Sequence, residues 1–315
     1  MRRDRQRKQV AMEETHISII LVSYNTADWI GTCLDSIEAT GFPGKEIFVI
    51  DNASTDGSAH LIRDRHPGVR LIVNAENRGF AAANNQALPH CTGKYVFFLN
   101  PETRMDDRYF FLKVMAYMES HPRVGLAGTR VVNLDGSPQE SVSLRYPGER
   151  FTSGELIGLP GSIACVLGAS MIVRSGVLKA VGGFDEEFFL YGEDQDLCLR
   201  IRRSGYEIGY IEDAVIVHVG GHSEHSTTSA DVWGKKARAE YLFYDKHYRP
   251  DTIRRISRSD RIKSLWRIAT LSLFGPMAGD REKRENKLGK YRVIYDTLRE
   301  RRDKKGKARS GKSPR

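Results

Sequence analysis

The stretch Ile17-Ser18-Ile19-Ile20-Leu21-Val22-Ser23-Tyr24-Asn25 opens on a near-continuous apolar run and closes on three polar residues. An apolar run with so little alternation reads as a parallel strand buried on both faces. A helical pattern follows, with Trp29, Cys33, Leu34 and Ile37 on one side. The same unit recurs downstream. Ile47–Ile50 is a second strand closed by Asp51-Asn52, and a helix runs from about Gly57 to Arg65. Leu71–Val73 is a third strand, Phe80 to Leu88 a helix, and Tyr95–Leu99 a fourth strand. Asp106 to Ser120 reads as a long helix stopped by His121-Pro122. Strand and helix alternating in this way predict an α/β open parallel sheet with helices on both faces. Ligands bind such sheets beyond the carboxyl ends of the strands. Asn25, Asp51, Asn52, Asn77, Asn100, Pro101 and Glu102 are therefore expected on one rim.

Beyond Pro122 the pattern changes. Val124–Val132 reads as a strand, Asp135-Gly136 as a turn, and 137–162 as a long loop rich in Ser, Gly and Pro. Val166 to Val173 reads as one apolar strand, followed by a short helix ending at Gly182-Gly183. Asp194 to Arg203 is helical in pattern, Tyr206–His218 supplies one or two strands, and helices are expected over 230–247 and twice within 260–300.

The chain has 315 residues and a formal charge of +9, but the charge is unevenly placed. Residues 281–315 carry 15 Lys/Arg against 5 Asp/Glu, and residues 1–10 carry five against one, which leaves −5 across 11–280. Basic ends on a mildly acidic globule argue against nucleic-acid binding, and no aromatic residues are interleaved with those charges as a stacking platform. The four cysteines, Cys33, Cys91, Cys165 and Cys198, are widely spaced and read as free thiols. No apolar segment follows the N-terminal arginines and no window reaches a membrane span, so a cytoplasmic protein is expected. The organisation expected is a basic flexible N-terminus at 1–14, the α/β domain over 15–248, a helical extension over 249–300 and a basic disordered tail at 301–315.

Four groups of residues carry chemistry. In Asp51-Asn52-Ala53-Ser54-Thr55-Asp56-Gly57, a carboxylate and an amide at a strand end either bond a base or ribose or cap the next helix. In Asn77-Arg78-Gly79-Phe80, the glycine allows close backbone approach, either to a diphosphate at a helix N-terminus or within a tight packed turn. Asn100-Pro101-Glu102 supplies hard oxygen ligands suited to Mg²⁺ or Mn²⁺ once phosphates complete the shell. Last come Gly183-Phe184-Asp185-Glu186 and Glu193-Asp194-Gln195-Asp196, in which three acids crowd the first turn of a helix. Their mutual repulsion favours a raised pKa, while the helix N-terminus favours ionisation. His218 ends an apolar strand and stands as a further metal ligand or a packed residue.

Taken in order along Ile17–His247, these elements resemble the family 2 glycosyltransferases, and especially a bacterial rhamnosyltransferase-like branch. The resemblance implies a GT-A, Rossmann-like nucleotide-diphospho-sugar transferase fold with a C-terminal helical extension. It implies a donor pocket of Ser23, Tyr24, Asn25, Asp51, Asn52, Asn77, Gly79, Phe80 and Asn100, with Tyr24 stacked on the base and Asp51 bonded to its edge. Asp194 takes the position of the catalytic base, Glu193 that of an acceptor contact, and Glu102 and His218 those of ligands to a divalent cation (Mg²⁺ or Mn²⁺). Glu102 departs from the family's Asp-x-Asp pattern. The activity implied is inverting transfer of a sugar from a nucleoside diphosphate to a glycan or polyprenyl-linked acceptor. Rhamnose is the expected sugar and galactofuranose or another hexose the alternative. A nucleotidyltransferase would need a Gly-rich basic loop after the first strand, where Ser23-Tyr24-Asn25-Thr26 stands instead. A non-catalytic nucleotide-sugar-binding pseudoenzyme is the remaining rival. Residues 264–278, apolar and flanked by Arg and Lys, read either as a helix packed on the catalytic domain or as a contact with an anionic membrane surface.

Overall fold

The computed structural model describes residues 16–219, 229–273 and 281–309. Two compact units cluster, one of residues 1–146 with 158–223 and one of residues 147–157 with 224–315.

The first unit is built on an eight-stranded sheet. Its strands are β1 (Ile17–Ser23), β2 (Lys45–Asp51), β3 (Arg70–Val73), β4 (Tyr95–Leu99), β5 (Thr103–Arg104), β6 (Val124–Val132), β9 (Ser170–Arg174) and β10 (Glu207–His218). They lie in the order β3-β2-β1-β4-β9-β6-β10-β5. β7 (Val142–Ser143) and β8 (Cys165–Val166) form a separate antiparallel pair. The helices of this unit are α1 (Ala27–Ala39), α2 (Ser58–Arg65), α3 (Phe80–Ala87), α4 (Phe110–Ser120), α5 (Ser175–Val181) and α6 (Glu193–Arg203).

The run that opens the chain behaves as its composition demands: every residue of β1 is buried. β1 pairs in parallel with β2 on one side and with β4 on the other. The chain reverses its direction of winding between those two neighbours, which leaves a crevice at the strand ends. One face of the sheet packs on Ile30, Cys33, Leu34 and Ile37 of α1 and on Phe110, Phe111, Val114 and Met118 of α4. Each such side chain contributes about 1.5–3 kcal/mol when fully buried. α3 needs small residues, and Ala81, Ala83 and Ala87 are fully buried in it.

Three expectations are corrected. The sheet is mixed, because β9 is antiparallel to both of its neighbours, β4 and β6. The single strand expected over Val166–Val173 is broken: β8 ends at Val166, a turn follows with Ser170 N–H bonding Leu167 O, and β9 starts at Ser170. The helix expected from Asp106 begins only at Phe110, because Asp106 pairs with Arg104 and Asp107 Oδ1 accepts from the Tyr109 N–H. Tyr206–His218 resolves into the one strand β10, with an irregularity between Ile211 and Val215.

The second unit contains α7 (Ser229–His247), α8 (Pro250–Leu273) and α9 (Arg281–Arg309). Its interior is aromatic, with the Tyr241 and Tyr244 ring centroids 5.2 Å apart and Tyr244 stacked on Tyr248 at 5.6 Å. Helix α9 continues through Arg309, into the stretch read from sequence as a tail. The basic N-terminus at 1–14, residues 310–315 and the Gly-Gly-His stretch after His218 lie outside the described residues.

Asn85 of α3 secures the Gly183-Phe184 segment: its Oδ1 accepts from Phe184 N–H at 2.9 Å and its Nδ2 donates to Phe184 O at 2.8 Å. Asn85→Ala strands both backbone groups, so urea unfolding should show a loss of roughly 1–3 kcal/mol; an unchanged midpoint would contradict this role.

Candidate active site

The polar rim forms because six strands, β1, β2, β3, β4, β6 and β10, end on the same side. Ser23 and Asp51 are register partners at the ends of β1 and β2, and Leu99 closes β4 opposite Leu21. β6 and β10 run parallel to each other and end at Val132 and His218. β9, being antiparallel, begins at this rim, with Leu99 facing Ser170.

Several residues expected to bind the nucleotide hold the rim loops to one another. Ser23 Oγ and Thr26 Oγ1 are hydrogen-bonded at 2.7 Å. Asn25, at φ 55°, bonds the loop after β2 twice: its N–H donates to Ser54 Oγ and its Oδ1 accepts from Thr55 N–H. Asn52 is buried, donates to Asn77 Oδ1 at 2.8 Å, and accepts from Asn74 Nδ2 and Arg78 N–H. Asp56 receives hydrogen bonds from Ala27 N–H and Ser58 N–H, capping two helices at once. Burial opposes ionisation of its carboxyl, but the bonds from Ser58 and Ala27 prevail and hold its pKa below the ordinary value.

The Gly79 turn is occupied from within the chain. Gly79 has φ +82°, and a Cβ there would lie 2.5 Å from Phe189 O. The Phe80 N–H, at the start of α3, donates to that same oxygen at 2.8 Å. The close approach inferred from this glycine is therefore that of the 184–191 segment.

Two groups on the rim are left with unspent chemistry. Asp51 is buried; its Oδ2 accepts from Ser54 N–H at 3.1 Å, whereas its Oδ1 has no hydrogen-bond partner. Such an acceptor suits a donor N–H on a ligand. Tyr24, the neighbour of Ser23, is 40% exposed and offers a ring to stack on.

Asp194 stands in the first turn of α6, where its Oδ2 accepts from Gly168 N–H at 3.2 Å and its Oδ1 from Gln195 N–H at 2.8 Å. Burial raises its pKa, with the backbone bonds opposing. Glu193 is buried with Oε2 unpartnered, and burial together with the charge of Asp194 raises its pKa too. Asp196 instead pairs with Arg200 at 2.7 Å, one turn along the helix. Tyr191, at φ 70°, and Gly192, at φ 81°, form the sharp entry to this helix. Residue 169 ties this group to the next: Ala169 O accepts from the Asn100 N–H at 3.0 Å.

Asn100, Glu102 and His218 come together through the short strand β5. Thr103 pairs with His218, and Val219 N–H donates to Glu102 O. Glu102 and His218 are buried, and the His218 Nε2 lies 3.4 Å from Asn100 Nδ2. Burial lowers the pKa of His218, and the Glu102 charge works against it. Among the described residues no group of three or more His, Cys, Asp or Glu side chains could hold a metal ion. The Glu102–His218 pair nevertheless has the chemistry of a partial divalent-cation site, one carboxylate and one imidazole, open to oxygen ligands from a diphosphate. Gln139, whose side chain bonds His218 Nδ1 at 3.0 Å, had escaped the sequence reading. It lies in the long 137–162 loop, where no strand or helix pattern marks it.

The four cysteines are free, as expected, and burial pushes the Cys33 and Cys165 thiols up to about 12.

The chain is similar to known proteins in sequence and in fold. The sequence profile of the family described as "Glycosyl transferase family 2" matches residues 18–182, just over half of the chain. The N-acetylglucosaminyl-diphospho-decaprenol L-rhamnosyltransferase of Mycobacterium tuberculosis is 24% identical over 269 residues, covering 73% of this chain and 85% of that protein. The pre-mycofactocin glycosyltransferase of the same organism is 29% identical over 206 residues, covering 63% and 41%. In fold, the chain is similar to the mannosyltransferase PcManGT of Pyrobaculum calidifontis, solved with GDP-Man and Mn²⁺, at a TM-score of 0.58, 18% identity and coverage of 90% and 86%. It is also similar to residues 1–349 of S. aureus TarS with UDP-GlcNAc, at a TM-score of 0.52, 16% identity and coverage of 95% and 93%. The chain belongs to glycosyl transferase family 2, and it is a glycosyltransferase of GT-A fold.

Proposed function

We propose that the chain transfers a sugar, with inversion, from a nucleoside diphosphate to a hydroxyl of a polyprenyl-linked or glycan acceptor. One observation carries this reading: Gly168 N–H holds the Asp194 carboxylate while the next residue, Ala169, holds the Asn100 backbone. The base and the Asn100–Glu102 motif are thereby fixed by adjacent residues at one rim. In the donor pocket, Asp51 Oδ1 accepts an N–H from the base and Tyr24 stacks on it. Thymidine or uridine, each with one imide N–H, meets that requirement. Rhamnose as the sugar is supported by the rhamnosyltransferase relative, and a lipid-linked acceptor in cell-envelope synthesis by the same relative's name.

Asp194 removes the proton of the acceptor hydroxyl. The oxygen then forms its bond to the anomeric carbon on the face opposite the diphosphate, whose C–O bond breaks with the electron pair leaving on phosphate oxygen. A raised pKa makes Asp194 a stronger base than an exposed carboxylate. Glu193 Oε2 is placed to hydrogen-bond the acceptor. Glu102 and the Nε2 of His218 would hold a divalent cation, which when bound supplies charge stabilisation for the departing diphosphate.

Asp194→Asn should lower the rate of transfer by about 10²–10⁴-fold, with donor binding by calorimetry retained. In the unaltered enzyme activity needs ionised Asp194, so the rate is present above its raised pKa and lost as pH falls through it. The midpoint of that loss should lie above the ordinary carboxyl value and vanish from the profile of the variant. Near-normal transfer by Asp194→Asn would remove the base assignment. Glu102→Gln should abolish the added thermal stabilisation that Mn²⁺ gives in the presence of thymidine or uridine diphosphate; a shift equal to that of the unaltered chain would count against the cation reading.

The C-terminal unit supports a contact with an anionic bilayer as part of this function. No described helix is long and apolar enough to cross a membrane. On α8, however, Thr252, Ile256 and Ser264 are buried, while Ile262, Leu265, Trp266, Ala269 and Leu273 are exposed along the opposite side, Trp266 at 60% and Leu273 at 71%. Exposed Arg258, Arg261 and Lys263 border this apolar stripe. An apolar face with a bulky indole and basic flanks suits the headgroup boundary of an anionic membrane. Residues 274–278 of the stretch read from sequence lie outside the described residues. The full chain should co-sediment with phosphatidylglycerol-containing vesicles and lose this with Trp266→Glu; no vesicle binding by the unaltered chain would end the proposal.

A further inference from the structure

The Gln139 side chain does more than fill space beside His218. Its Nε2 lies 2.8 Å from His218 O and 2.7 Å from Asn133 Oδ1. His218 O is a backbone carbonyl and can only accept, so this end of the amide is the nitrogen. The other end, Oε1, lies 3.0 Å from His218 Nδ1. A carbonyl oxygen has no proton to give, so Nδ1 must carry the hydrogen that joins them. A neutral imidazole has only one such proton, and Nε2 is left with a lone pair. That lone pair is on the side of the ring where Asn100 Nδ2 approaches, at 3.4 Å. In water the opposite tautomer of histidine predominates, so the protein imposes this one.

The clamp is itself held firmly. Gln139 N–H donates to Val131 O at 3.0 Å, and Val132 bridges Pro138. Between them, Asn133 N–H donates to Ser137 O at 2.8 Å and Gly136 N–H to Asn133 O at 2.9 Å. The turn after β6 thus returns Gln139 to the end of β10, where one amide grips both the ring and the backbone of a single histidine.

We propose that Gln139 is a positioning residue that fixes His218 in its Nδ1–H tautomer and so presents Nε2 to a divalent cation shared with Glu102. The inference rests on the cation reading given above. Partners of this kind orient a ligating imidazole and raise its affinity for metal by about 10–100-fold.

The test uses the full chain, with Mn²⁺ and thymidine diphosphate as probes and free Mn²⁺ followed by electron paramagnetic resonance. Gln139→Leu should bind Mn²⁺ about 10–100-fold more weakly while unfolding near the unaltered midpoint. Long-range ¹⁵N–¹H spectra of the metal-free protein should show His218 protonated at Nδ1, and in Gln139→Leu predominantly at Nε2. Unchanged Mn²⁺ affinity in Gln139→Leu, with affinity lost in His218→Ala, would overturn the role of Gln139 and leave the cation site standing. Unchanged affinity in both His218→Ala and Glu102→Gln would instead overturn the cation site, and with it the use proposed for the tautomer. If Gln139→Leu does not fold, the spectrum of the unaltered protein decides, since Nε2–H there overturns the proposal.

Discussion

The site depends on one strand entering the sheet against the grain. β9 is antiparallel to β4 and β6, so its first residues, and not its last, meet the rim where β1, β2, β3, β4, β6 and β10 end. Every backbone N–H and C=O brought there needs a partner. At Gly168 the partner is the Asp194 carboxylate, and at Ala169 it is the Asn100 N–H. Obligatory backbone pairing thus fixes the distance between the Asp194 carboxylate and the Asn100–Glu102 segment, which lie almost a hundred residues apart in the chain. The break between β8 and β9 is a requirement of this arrangement, because a continuous strand would have satisfied those groups within the ladder.

Around that junction the polar residues divide by burial and by what they already bond. Asn25, Asn52, Asn77 and Asp56 spend their side chains on neighbouring loops, and Asn85 secures the 184–191 segment against α3. A rim framed in this way is preorganised, so little ordering would be left for the moment a ligand binds. Asp51 Oδ1 and Glu193 Oε2 are the contrasting cases, buried oxygens without partners on opposite flanks of the junction. A buried unpaired acceptor is costly to stability, and a ligand that supplies the missing donor relieves that cost.

The raised pKa values of Asp194 and Glu193 follow from the same placement. Burial is the leading cause in both, and the charge of Asp194 adds to the difficulty of ionising Glu193. The helix N-terminus, expected to favour ionisation, opposes these effects through the backbone without reversing them.

The sequence by itself determined the first four strands, the rim and the family. These depend on local patterns: apolar runs for buried strands, Cys33-Leu34-Ile37 for the inner face of α1, and alanines for a helix packed close to the sheet. Asp51 and His218 end strands, Asp194 stands in the first turn of a helix and Glu102 lies three residues past the end of β4, all positions visible in one dimension. The tertiary structure alone decided the direction of β9, the break before it, the occupant of the Gly79 turn and the part played by Gln139. Strand direction depends on which neighbour supplies the hydrogen bonds, and Gly79 faces a backbone 110 residues away. Gln139 sits in a loop with no periodicity, and its partner is 79 positions along the chain. Contacts of that separation leave no imprint on local composition, because the chain's path through space, and not its pattern, brings the atoms together.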